Sequence, residues 1–470
     1  MRKTKIICTI GPASNDAETL EKLMKSGMNV ARLNFSHGTH DEHKKTIDLI
    51  KEIREKLDLP VAIMLDTKGP EYRIGVFENG SEELKEGDTF IFTPDEIKGT
   101  SERVSVSYKE LAKEVAVGDT ILVNNGLLVF KITAIQGDDI ATEVVAGGTI
   151  SNRKSMSFPG KVFNHDYLSE KDKDDLLFGI KEDVDFIACS FVSRKQDLID
   201  VKNFLKQNDG QDLSLIAKIE NQSGVDNIAD ICEECDGIMI GRGDMGVEIP
   251  YERLPAIQKH LITECRMLGK RVITATEMLE SMINNPRPTR AEISDVANAV
   301  YDGTSVVMLS GETAAGKYPV ETLKTMDKIV REAENGIHYK QRFYNTDFEI
   351  ENMMDAISHS TCALAMDLNA KAIAVCSMSG RTARMVSRFR PPTDIIGVCT
   401  NEKTRRNLAL SWGVTPVIAE NVPSIEVLFY TAKNLVRDYM HLDKGDNVII
   451  TGGSTTGQSG LTNTIRIETI

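Results

Sequence analysis

Short apolar runs alternate with amphipathic stretches through the first 70 residues of the chain. The runs are rich in β-branched residues and predict strands. The three predicted strands are Lys5–Thr9, Val30–Asn34 and Ala62–Asp66. The amphipathic stretches predict a helix capped by Asn15, with Glu18 placed for a capping box, and a second helix near Glu42–Leu57. This strand–helix repeat indicates a parallel sheet.

The repeat breaks after Pro70, and the chain is strand-rich from there to about Asp166. The short β runs are Phe90–Phe92, Val104–Val106, Thr120–Val123 and Leu128–Phe130. Gly-Asp pairs at Gly87, Gly118 and Gly137 are turn signals between them. We therefore predict an inserted, mostly antiparallel β domain.

The strand–helix repeat resumes at Ser169 and supplies five more strands. These are Asp185–Ser190, Ser214–Ile219, Gly237–Gly241, Arg271–Ala275 and Ser305–Leu309. Eight such units in all predict a closed (β/α)8 barrel. A further unit from about Asn345 predicts a C-terminal open α/β domain. Its parallel-type strands are Ala372–Cys376, Asp394–Cys399, Val414–Ile418 and Asn447–Thr451.

This organisation divides the chain into two barrel parts, a lid and a C-terminal domain. The predicted bounds are 1–69 and 167–344 for the barrel, 70–166 for the inserted β domain, and 345–470 for the α/β domain.

Charge and hydropathy narrow the range of partners. The 470 residues carry a net charge of −14, and so acidic a surface repels nucleic acid. The apolar run Ile6–Ile10 is too short for a signal sequence, and no later run is long enough for a membrane span. Together with eight scattered cysteines, these features predict a cytoplasmic protein with reduced thiols.

Polar side chains follow seven of the eight barrel strands. In a closed βα barrel these carboxyl ends meet at one face, where the active site lies. The side chains singled out there are Arg32, Asn34, Ser36, His37, Asp66, Thr67, Ser190, Lys218, Glu220, Asp244, Thr276 and Glu312. We therefore predict a functional centre at this face of the barrel.

The residue types predict phosphoryl-transfer chemistry. Lys218 and Glu220 are two residues apart on a strand, so their side chains point the same way. Glu220 and Asp244 can share a hard divalent cation, which leaves positions open for substrate oxygens. Arg32 and Lys218 can neutralise a phosphoryl group during its transfer.

A second set of oxygen ligands follows strands two and three. It consists of Asn34, Ser36, Asp66 and the carbonyl of Thr67, and it carries one formal negative charge. This charge suits a monovalent cation better than a second divalent one.

Seven segments resemble the motifs of the pyruvate kinase family, in the family's order and spacing. They are Thr9–Pro12, Ala31–Gly38, Leu65–Glu71, Lys218–Asn221, Asp244–Pro250, Asn285–Glu292 and Met308–Thr313. The resemblance runs from residue 4 to about residue 465. The architecture known for the family, a barrel with an inserted β domain and a C-terminal α/β domain, agrees with the one predicted from the pattern.

The resemblance implies transfer of a phosphoryl group from phosphoenolpyruvate to ADP, giving ATP and pyruvate. It implies Mg²⁺ or Mn²⁺ on Glu220 and Asp244, and K⁺ on the monovalent set, with Glu71 at the position associated with K⁺ dependence. The residues implied for phosphoenolpyruvate are Arg32, Lys218, Gly243, Asp244 and Thr276, of which Lys218, Arg32 and Thr276 are catalytic. The residues implied for the nucleotide are Asn34, Phe35, Ser36, His37, Arg73 and Lys154.

A loop in the C-terminal domain predicts a phosphate site. It follows a strand and opens a helix, so its amides, hydroxyls and one Arg could hold a phosphorylated effector. Its residues are Ser377, Ser379, Gly380, Arg381 and Thr382. The alternative is an ordinary capped helix start. The resemblance also implies a homotetramer.

The chain departs from the family's usual pattern in the lid and beside the site. The departures are Asn124, Asn125 and Ser155 in the lid, and Gly241 and Glu277 beside the barrel motifs. They leave nucleotide contacts and rate open.

Two other functions are compatible with parts of the pattern. One is a barrel enzyme of phosphoenolpyruvate or pyruvate chemistry, such as an aldolase or a mutase. The other is a catalytically weak relative that senses metabolites, for which the lid departures are the support.

Overall fold

The first part of the barrel forms with the strand bounds that the hydrophobic pattern predicts. Its elements are β1 (Lys5–Thr9), α1 (Ala17–Lys25), β2 (Val30–Asn34), α2 (His40–Leu57) and β3 (Ala62–Asp66). The computed structural model describes residues 1–163, 166–420, 424–453 and 462–470.

The starts of the two helices differ from the prediction. The cap of α1 is Asp16 rather than Asn15, because the Asp16 carboxylate accepts a hydrogen bond from the backbone N–H of Thr19. The capping box predicted with Glu18 is therefore wrong. Helix α2 begins two residues earlier than predicted, behind a capping box formed by Thr39 and Glu42.

The insertion after β3 forms a seven-stranded sheet and a two-stranded sheet. The elements are β4 (Tyr72–Arg73), β5 (Ser81–Leu84), β6 (Thr89–Thr93), β7 (Arg103–Ser105), α3 (Leu111–Glu114), β8 (Thr120–Val123), β9 (Leu128–Gln136), β10 (Asp139–Ala146), β11 (Gly148–Ser151) and β12 (Ser155–Ser157). The larger sheet has the order β4-β12-β8-β9-β10-β6-β7, and only the β6–β7 pair is parallel. The mostly antiparallel insertion is confirmed, with its own core around Phe90, Phe92 and Phe130.

Five more parallel strands close the barrel. They are β13 (Phe186–Cys189), β14 (Ser214–Ile219), β15 (Gly237–Gly241), β16 (Arg271–Ala275) and β17 (Val306–Leu309). The order β1-β17-β16-β15-β14-β13-β3-β2 joins the first strand to the last and confirms the eight-stranded barrel. Apolar side chains such as Ile7, Met64, Phe186 and Met239 form a buried cluster of the barrel strands.

Helices connect the strands of this second part. They are α4 (Glu170–Lys181), α5 (Lys195–Gln207), α6 (Gln222–Asp226), α7 (Ile228–Glu233), α8 (Arg242–Glu248), α9 (Leu254–Met267), α10 (Arg290–Asp302), α11 (Gly311–Ala314), α12 (Pro319–Asn335) and α13 (Tyr339–Tyr344). Short 3-10 helices lie at Tyr251–Arg253 and Glu280–Ile283.

The C-terminal unit is an α/β fold with a mixed sheet. Its elements are α14 (Met353–Asp367), β18 (Ala372–Cys376), α15 (Arg381–Arg388), β19 (Asp394–Cys399), α16 (Glu402–Leu408), β20 (Val414–Ile418), α17 (Ile425–Met440), β21 (Asn447–Gly453) and β22 (Thr462–Thr469). Four strands are parallel as predicted, and β22 adds an antiparallel edge strand that the sequence analysis missed. The domain bounds themselves stay a prediction.

Two properties of the whole chain bear on where it can function. Across the described residues, none of the helices combines the length and the apolar character that crossing a bilayer requires. All eight cysteines are buried and carry free thiols.

A buried ion pair links the barrel to the C-terminal unit. Arg406 Nε donates to Asp185 Oδ1 across 2.7 Å, and Asp185 Oδ2 accepts from the backbone N–H of Ile63. Burial raises the pKa of Asp185 although the charges of Arg406 and Arg54 oppose it. The pair therefore holds the end of α16 against the start of two barrel strands.

We expect Arg406→Met to lower the free energy of unfolding by about 3 kcal/mol, because it leaves the buried Asp185 carboxylate without its nearest cation. Thermal or denaturant unfolding measures the change. Lys403→Met is the matched control: Lys403 pairs with the half-exposed Asp183 across the same junction, and such pairs contribute at most about 1 kcal/mol. Equal losses in both variants would contradict this role of Asp185.

Candidate active site

A buried carboxylate at the end of β3 binds two cations of the predicted centre. Arg32 Nε donates to Asp66 Oδ2 across 2.6 Å, and Lys218 Nζ donates to Asp66 Oδ1 across 3.1 Å. These charges outweigh burial and hold the pKa of Asp66 below its ordinary value. Three side chains from three strands, far apart in sequence, thus meet at one point.

Lys218 is charged in this environment. Burial lowers its pKa, but the carboxylates of Asp66 and Glu220 outweigh burial and raise it above the ordinary value. Lys218 Nζ lies 3.1 Å from Glu220 Oε1. A fully protonated ammonium therefore stands beside the predicted divalent-metal ligand.

Ser190 connects these groups; the sequence analysis placed it at the predicted centre but missed its role. Its hydroxyl accepts from Lys218 Nζ across 2.6 Å and lies 2.7 Å from the Thr67 carbonyl and 3.2 Å from Asp66 Oδ1. Its position at a strand end was visible in the sequence. A serine there is also common as a turn residue, so only the through-space contacts identify its role.

Glu220 and Asp244 provide a suitable pair of oxygen donors for a divalent cation. Glu220 is buried and its Oε2 accepts from the backbone N–H of Phe191 across 2.8 Å. Burial raises its pKa to about 7; Lys218 lowers it, and the charge of Asp244 raises it further. A buried carboxylate whose ionisation is opposed by a neighbouring carboxylate fits a site completed by a cation.

The predicted phosphoenolpyruvate residues Gly243 and Thr276 lie side by side. A Cβ at Gly243 would come within 2.9 Å of Thr276 Cγ2, so a larger residue here would have to displace the Thr276 side chain. Helix α8 begins at Arg242, which leaves the amides of Gly243 and Asp244 in its first turn, where anions are favoured.

Arg242 is a second residue that the sequence analysis missed. Its Nε donates to the carbonyl of Thr276 across 3.1 Å, and its Nη1 pairs with Asp295 across 2.8 Å. Thr276 and Glu277 have φ of 74° and 54°, a region that non-glycine residues rarely occupy. Arg242 thus holds the loop after β16 in a strained conformation, which is typical of functional sites.

The residues of the loop after β2 that are predicted to bind the nucleotide differ in exposure. The Phe35 ring is buried and stacks on His43 with centroids 4.0 Å apart, so only its backbone can face a ligand. This corrects the prediction for the Phe35 side chain. Asn34 Oδ1 accepts from the backbone N–H of Ser36, and His37 is exposed.

Arg73 and Lys154 lie on the lid, next to its junction with the barrel. Arg73 Nη2 pairs with Glu71 Oε1 across 2.6 Å, and the carbonyl of Lys154 accepts from the N–H of Ile74. A cleft of about 100 Å³ separates this part of the lid from the barrel and is bordered by Glu71 and Asp244. Arg73 and Lys154 do not border the cleft themselves, but each is next in the chain to a residue that does, Tyr72 or Ser155.

The monovalent-cation set is already engaged in hydrogen bonds. Asp66 binds two cations, and the Thr67 carbonyl lies within hydrogen-bonding distance of the Ser190 hydroxyl. Asn34 pairs with Asp66 in the barrel register, so these two residues are neighbours. The closeness of these residues agrees with the predicted cation site. The prediction also depended on a formal charge of −1, and Arg32 and Lys218 offset that charge.

Family models match the chain in two segments. The model described as "Pyruvate kinase, barrel domain" matches residues 1–323, and "Pyruvate kinase, alpha/beta domain" matches residues 355–468. The chain belongs to the pyruvate kinase family. This is a family of phosphotransferases whose chemistry needs a divalent metal ion.

Similar proteins extend over the full length of the chain. A pyruvate kinase of Staphylococcus epidermidis is 47% identical over 473 residues, covering 100% of this chain and 81% of that protein. One from Clostridium acetobutylicum is 46% identical and covers 100% of both chains. The crystal structure of a pyruvate kinase from Cryptosporidium parvum superimposes with a TM-score of 0.95 at 40% identity, covering 100% and 96%.

Gly241, which departs from the usual pattern of pyruvate kinases, lies against Glu220, the predicted metal ligand. A Cβ at this position would come within 2.6 Å of Glu220 Cγ and 2.7 Å of Glu220 Oε1. The missing methyl group gives the Glu220 side chain the space that it occupies here.

The three lid residues that differ from the family's usual pattern lie close together beside the cleft. Two of them, Asn124 and Asn125, form a tight turn. Asn124 and Asn125 both have φ of 56°, which asparagine tolerates better than most residues. The Ser155 hydroxyl lies 3.3 Å from Asn125 Oδ1. These residues therefore shape the rim of the lid.

The loop predicted to bind an effector phosphate is only partly open. Gly380 has φ of 76° and precedes α15 without a side-chain cap, and Ser379 and Arg381 are exposed. Thr382 is buried and its hydroxyl hydrogen-bonds to Thr462 across 2.5 Å, so it does not face the loop. This removes Thr382 from the predicted phosphate ligands.

We expect Ser190→Ala to lower the rate of pyruvate formation roughly 10-fold, because a hydrogen bond to a charged group contributes about 1.5–3 kcal/mol. Steady-state kinetics with phosphoenolpyruvate and ADP measures the effect. Ser358→Ala, which removes a buried hydroxyl without a hydrogen-bond partner among the described residues, is the control and should leave the rate unchanged. A Ser190→Ala enzyme with normal kinetics would show that Lys218 does not depend on this hydroxyl.

Proposed function

We propose that the carboxyl end of the barrel transfers a phosphoryl group from phosphoenolpyruvate to ADP. The observation that carries the proposal is the convergence of Arg32 and Lys218 on the buried Asp66 carboxylate, with Glu220 paired to the same Lys218 ammonium. The P–O bond to the enol oxygen breaks and a bond to the terminal phosphate oxygen of ADP forms. The enolate that remains takes a proton on carbon and becomes pyruvate.

Lys218 and Arg32 stabilise the charge that spreads over the transferred phosphoryl oxygens. Both are charged donors fixed by Asp66, so they need not reorganise when the transition state forms. Arg32 also donates to the Thr9 hydroxyl across 2.9 Å, which fixes the plane of its guanidinium. Ser190 keeps the Lys218 ammonium aligned toward the same point.

Glu220 and Asp244 hold the divalent cation, Mg²⁺ or Mn²⁺. When bound, the cation supplies positive charge to the phosphoryl and carboxylate oxygens of the substrates. The amides of Gly243 and Asp244 bind the substrate anion at the start of α8. Thr276, acting through a water molecule, delivers the proton to the enolate carbon.

K⁺ binds to Asn34, Ser36, Asp66 and Thr67, and the nucleotide contacts the loop from Asn34 to His37. Arg73 and Lys154 of the lid reach the nucleotide phosphates as the lid closes over the cleft. The Arg73–Glu71 ion pair supports this proposal, because it ties a nucleotide-binding cation to the residue associated with K⁺ dependence. The enzyme is a cytoplasmic homotetramer, and a phosphorylated effector binds Ser377, Ser379, Gly380 and Arg381.

A pyruvate assay with and without ADP tests this function. Pyruvate that forms only with ADP, together with equal amounts of ATP, supports phosphoryl transfer. Pyruvate formed without ADP would indicate an aldolase- or mutase-like enzyme. Absence of pyruvate with saturating substrates, Mg²⁺ and K⁺ would indicate a catalytically weak relative.

We expect Lys218→Met to lower kcat roughly 10²-fold or more with little change in phosphoenolpyruvate affinity, because the lost charge acts mainly in the transition state. Initial rates and substrate titrations measure both quantities. Lys22→Met, which breaks an exposed pair with Glu18, is the control. Near-normal turnover in Lys218→Met would remove this residue from the mechanism.

We expect Glu71→Lys to reduce the requirement for K⁺, because a tethered ammonium would take over part of the cation's role. Activity is measured over a K⁺ titration with a bulky organic cation that maintains ionic strength. Glu71→Gln removes the same carboxylate without adding a charge and should still require K⁺. Full wild-type activity without K⁺ or Na⁺ would contradict the monovalent site itself.

We expect a sugar phosphate or AMP to lower the KM for phosphoenolpyruvate, roughly 5- to 150-fold at typical coupling. Arg381→Ala should abolish the activation and leave basal turnover intact, because it removes the one charged side chain of the loop. Arg331→Ala, on an exposed barrel helix, is the matched control. If no compound of the panel binds by calorimetry or shifts the KM, the loop is an ordinary helix start.

A further inference from the structure

A cluster of arginines lies between the barrel and the C-terminal unit and includes none of the residues of the candidate active site. We call it the seam cluster. Its members are Arg266, Arg271, Arg384, Arg388 and Arg390. They come from the end of α9, the start of β16, and α15 with the residues just after it, and they border one small cavity.

Three of these arginines have no acidic partner. Within the described part of the chain, no carboxylate lies within 4 Å of Arg266, Arg271 or Arg390, although each is more than nine-tenths buried. Arg384 and Arg388 do have partners, Asp236 at 2.7 Å and Asp355 at 3.2 Å. The seam cluster therefore carries a large excess of positive charge.

Several donors of the cluster are also unused. The Nε atoms of Arg266 and Arg390 and the Nη1 atom of Arg271 are buried without a hydrogen-bond partner. The side chain of Arg266 forms no hydrogen bond to any residue that the structure describes. A buried donor without a partner costs free energy, and a buried unpaired charge costs more.

Loss of a proton does not relieve this excess. Burial, with the neighbouring charge of Arg384, lowers the pKa of Arg271 to about 9, and burial with Arg342 lowers that of Arg266 to about 10. Both side chains remain charged at neutral pH, and arginine does not give up its proton in proteins. Backbone carbonyls and the rings of Trp412 and Phe186 offset part of the charge on Arg390 and Arg271. A bound anion would offset the rest, including the charge of Arg266.

The cavity limits the size of such an anion. Its volume is about 10 Å³, close to the smallest space that holds one water molecule. The hydroxyl-bearing Ser305, Ser387 and Ser411 border it together with the arginines, and no acidic residue does. A larger pocket of about 430 Å³ shares Lys270 and Arg388 with it and is also bordered by acidic residues such as Asp236 and Asp355.

We propose that the seam cluster is a binding site for a small inorganic anion of about the size of chloride, which neutralises Arg266, Arg271 and Arg390 and holds the C-terminal unit against the barrel. The site is separate from the catalytic centre, and its existence does not depend on the proposed reaction.

Thermal unfolding of the full-length protein tests the proposal. The chloride of a potassium salt is replaced stepwise by gluconate, an anion too large for the cavity, at constant K⁺. We expect chloride to raise the Tm of the wild type by roughly 1–3 °C more than it raises that of Arg266→Met. In gluconate, Arg266→Met should be at least as stable as the wild type, because it removes an unpaired buried charge.

Two further variants separate the site from general effects of salt. Arg266→Lys keeps a cation at the cavity and should retain most of the chloride response. Arg331→Met removes an arginine that is half-exposed and paired with Asp327, and it should respond as the wild type does. Equal chloride responses in the wild type and Arg266→Met would overturn the proposal.

A crystal soaked in bromide provides a direct measurement that needs no variant. An anomalous peak between the guanidinium groups of Arg266, Arg271 and Arg390 would support the site. A soaked crystal with bromide elsewhere on the surface and none in this cavity would overturn it.

Discussion

The buried carboxylate of Asp66 is the group on which the proposed catalytic centre depends. It is almost fully enclosed, yet it binds Arg32 on one oxygen and Lys218 on the other. Without it, the side chains of Arg32 and Lys218 would repel each other in a poorly solvated space and would not stay together at the proposed phosphate position. Asp66 thus permits a concentration of positive charge that an apolar barrel could not otherwise hold.

The groups next to Asp66 are likewise held in place by charged or hydrogen-bonding partners. Glu220 offsets part of the Lys218 charge and is in turn held by a backbone N–H of Phe191. Ser190 links the ammonium to the carbonyl after β3. Each charge is therefore fixed by at least one partner from a different strand, so the barrel register determines the geometry of the site.

The strand pattern, together with the rule that the active site of a βα barrel lies at the carboxyl ends of its strands, was enough to predict much of this site from the sequence. Runs such as Val30–Asn34 and Ser214–Ile219 fixed the strands, and the barrel rule placed Arg32 and Lys218 at one face. The roles of Ser190 and Arg242 could not be predicted, because each depends on contacts between strands that are distant in sequence. The buried orientation of Phe35 was missed because it depends on stacking against His43 in the next helix.

Three smaller errors of the sequence analysis concern the cap of α1, the strand β22 and Thr382. Asp16 caps α1 in place of Asn15 because adjacent residues of similar chemistry compete for one N–H. The strand β22 alternates polar and apolar residues, but the expectation of parallel strands concealed it. Thr382 shares the composition of a phosphate loop, and only the contact with Thr462 shows that it points inward.

The lid leaves the barrel after β3 and returns before β13, and these two strands are direct neighbours in the closed sheet, with Met64 paired to Phe186. Their pairing closes a loop of more than a hundred residues. Such a contact is slow to form from an extended chain, whereas a lid that has already compacted around its own phenylalanine core brings the two ends together at little further entropic cost. We therefore expect the insertion to fold ahead of barrel closure, so that a module which serves catalysis also determines the order in which the scaffold is assembled.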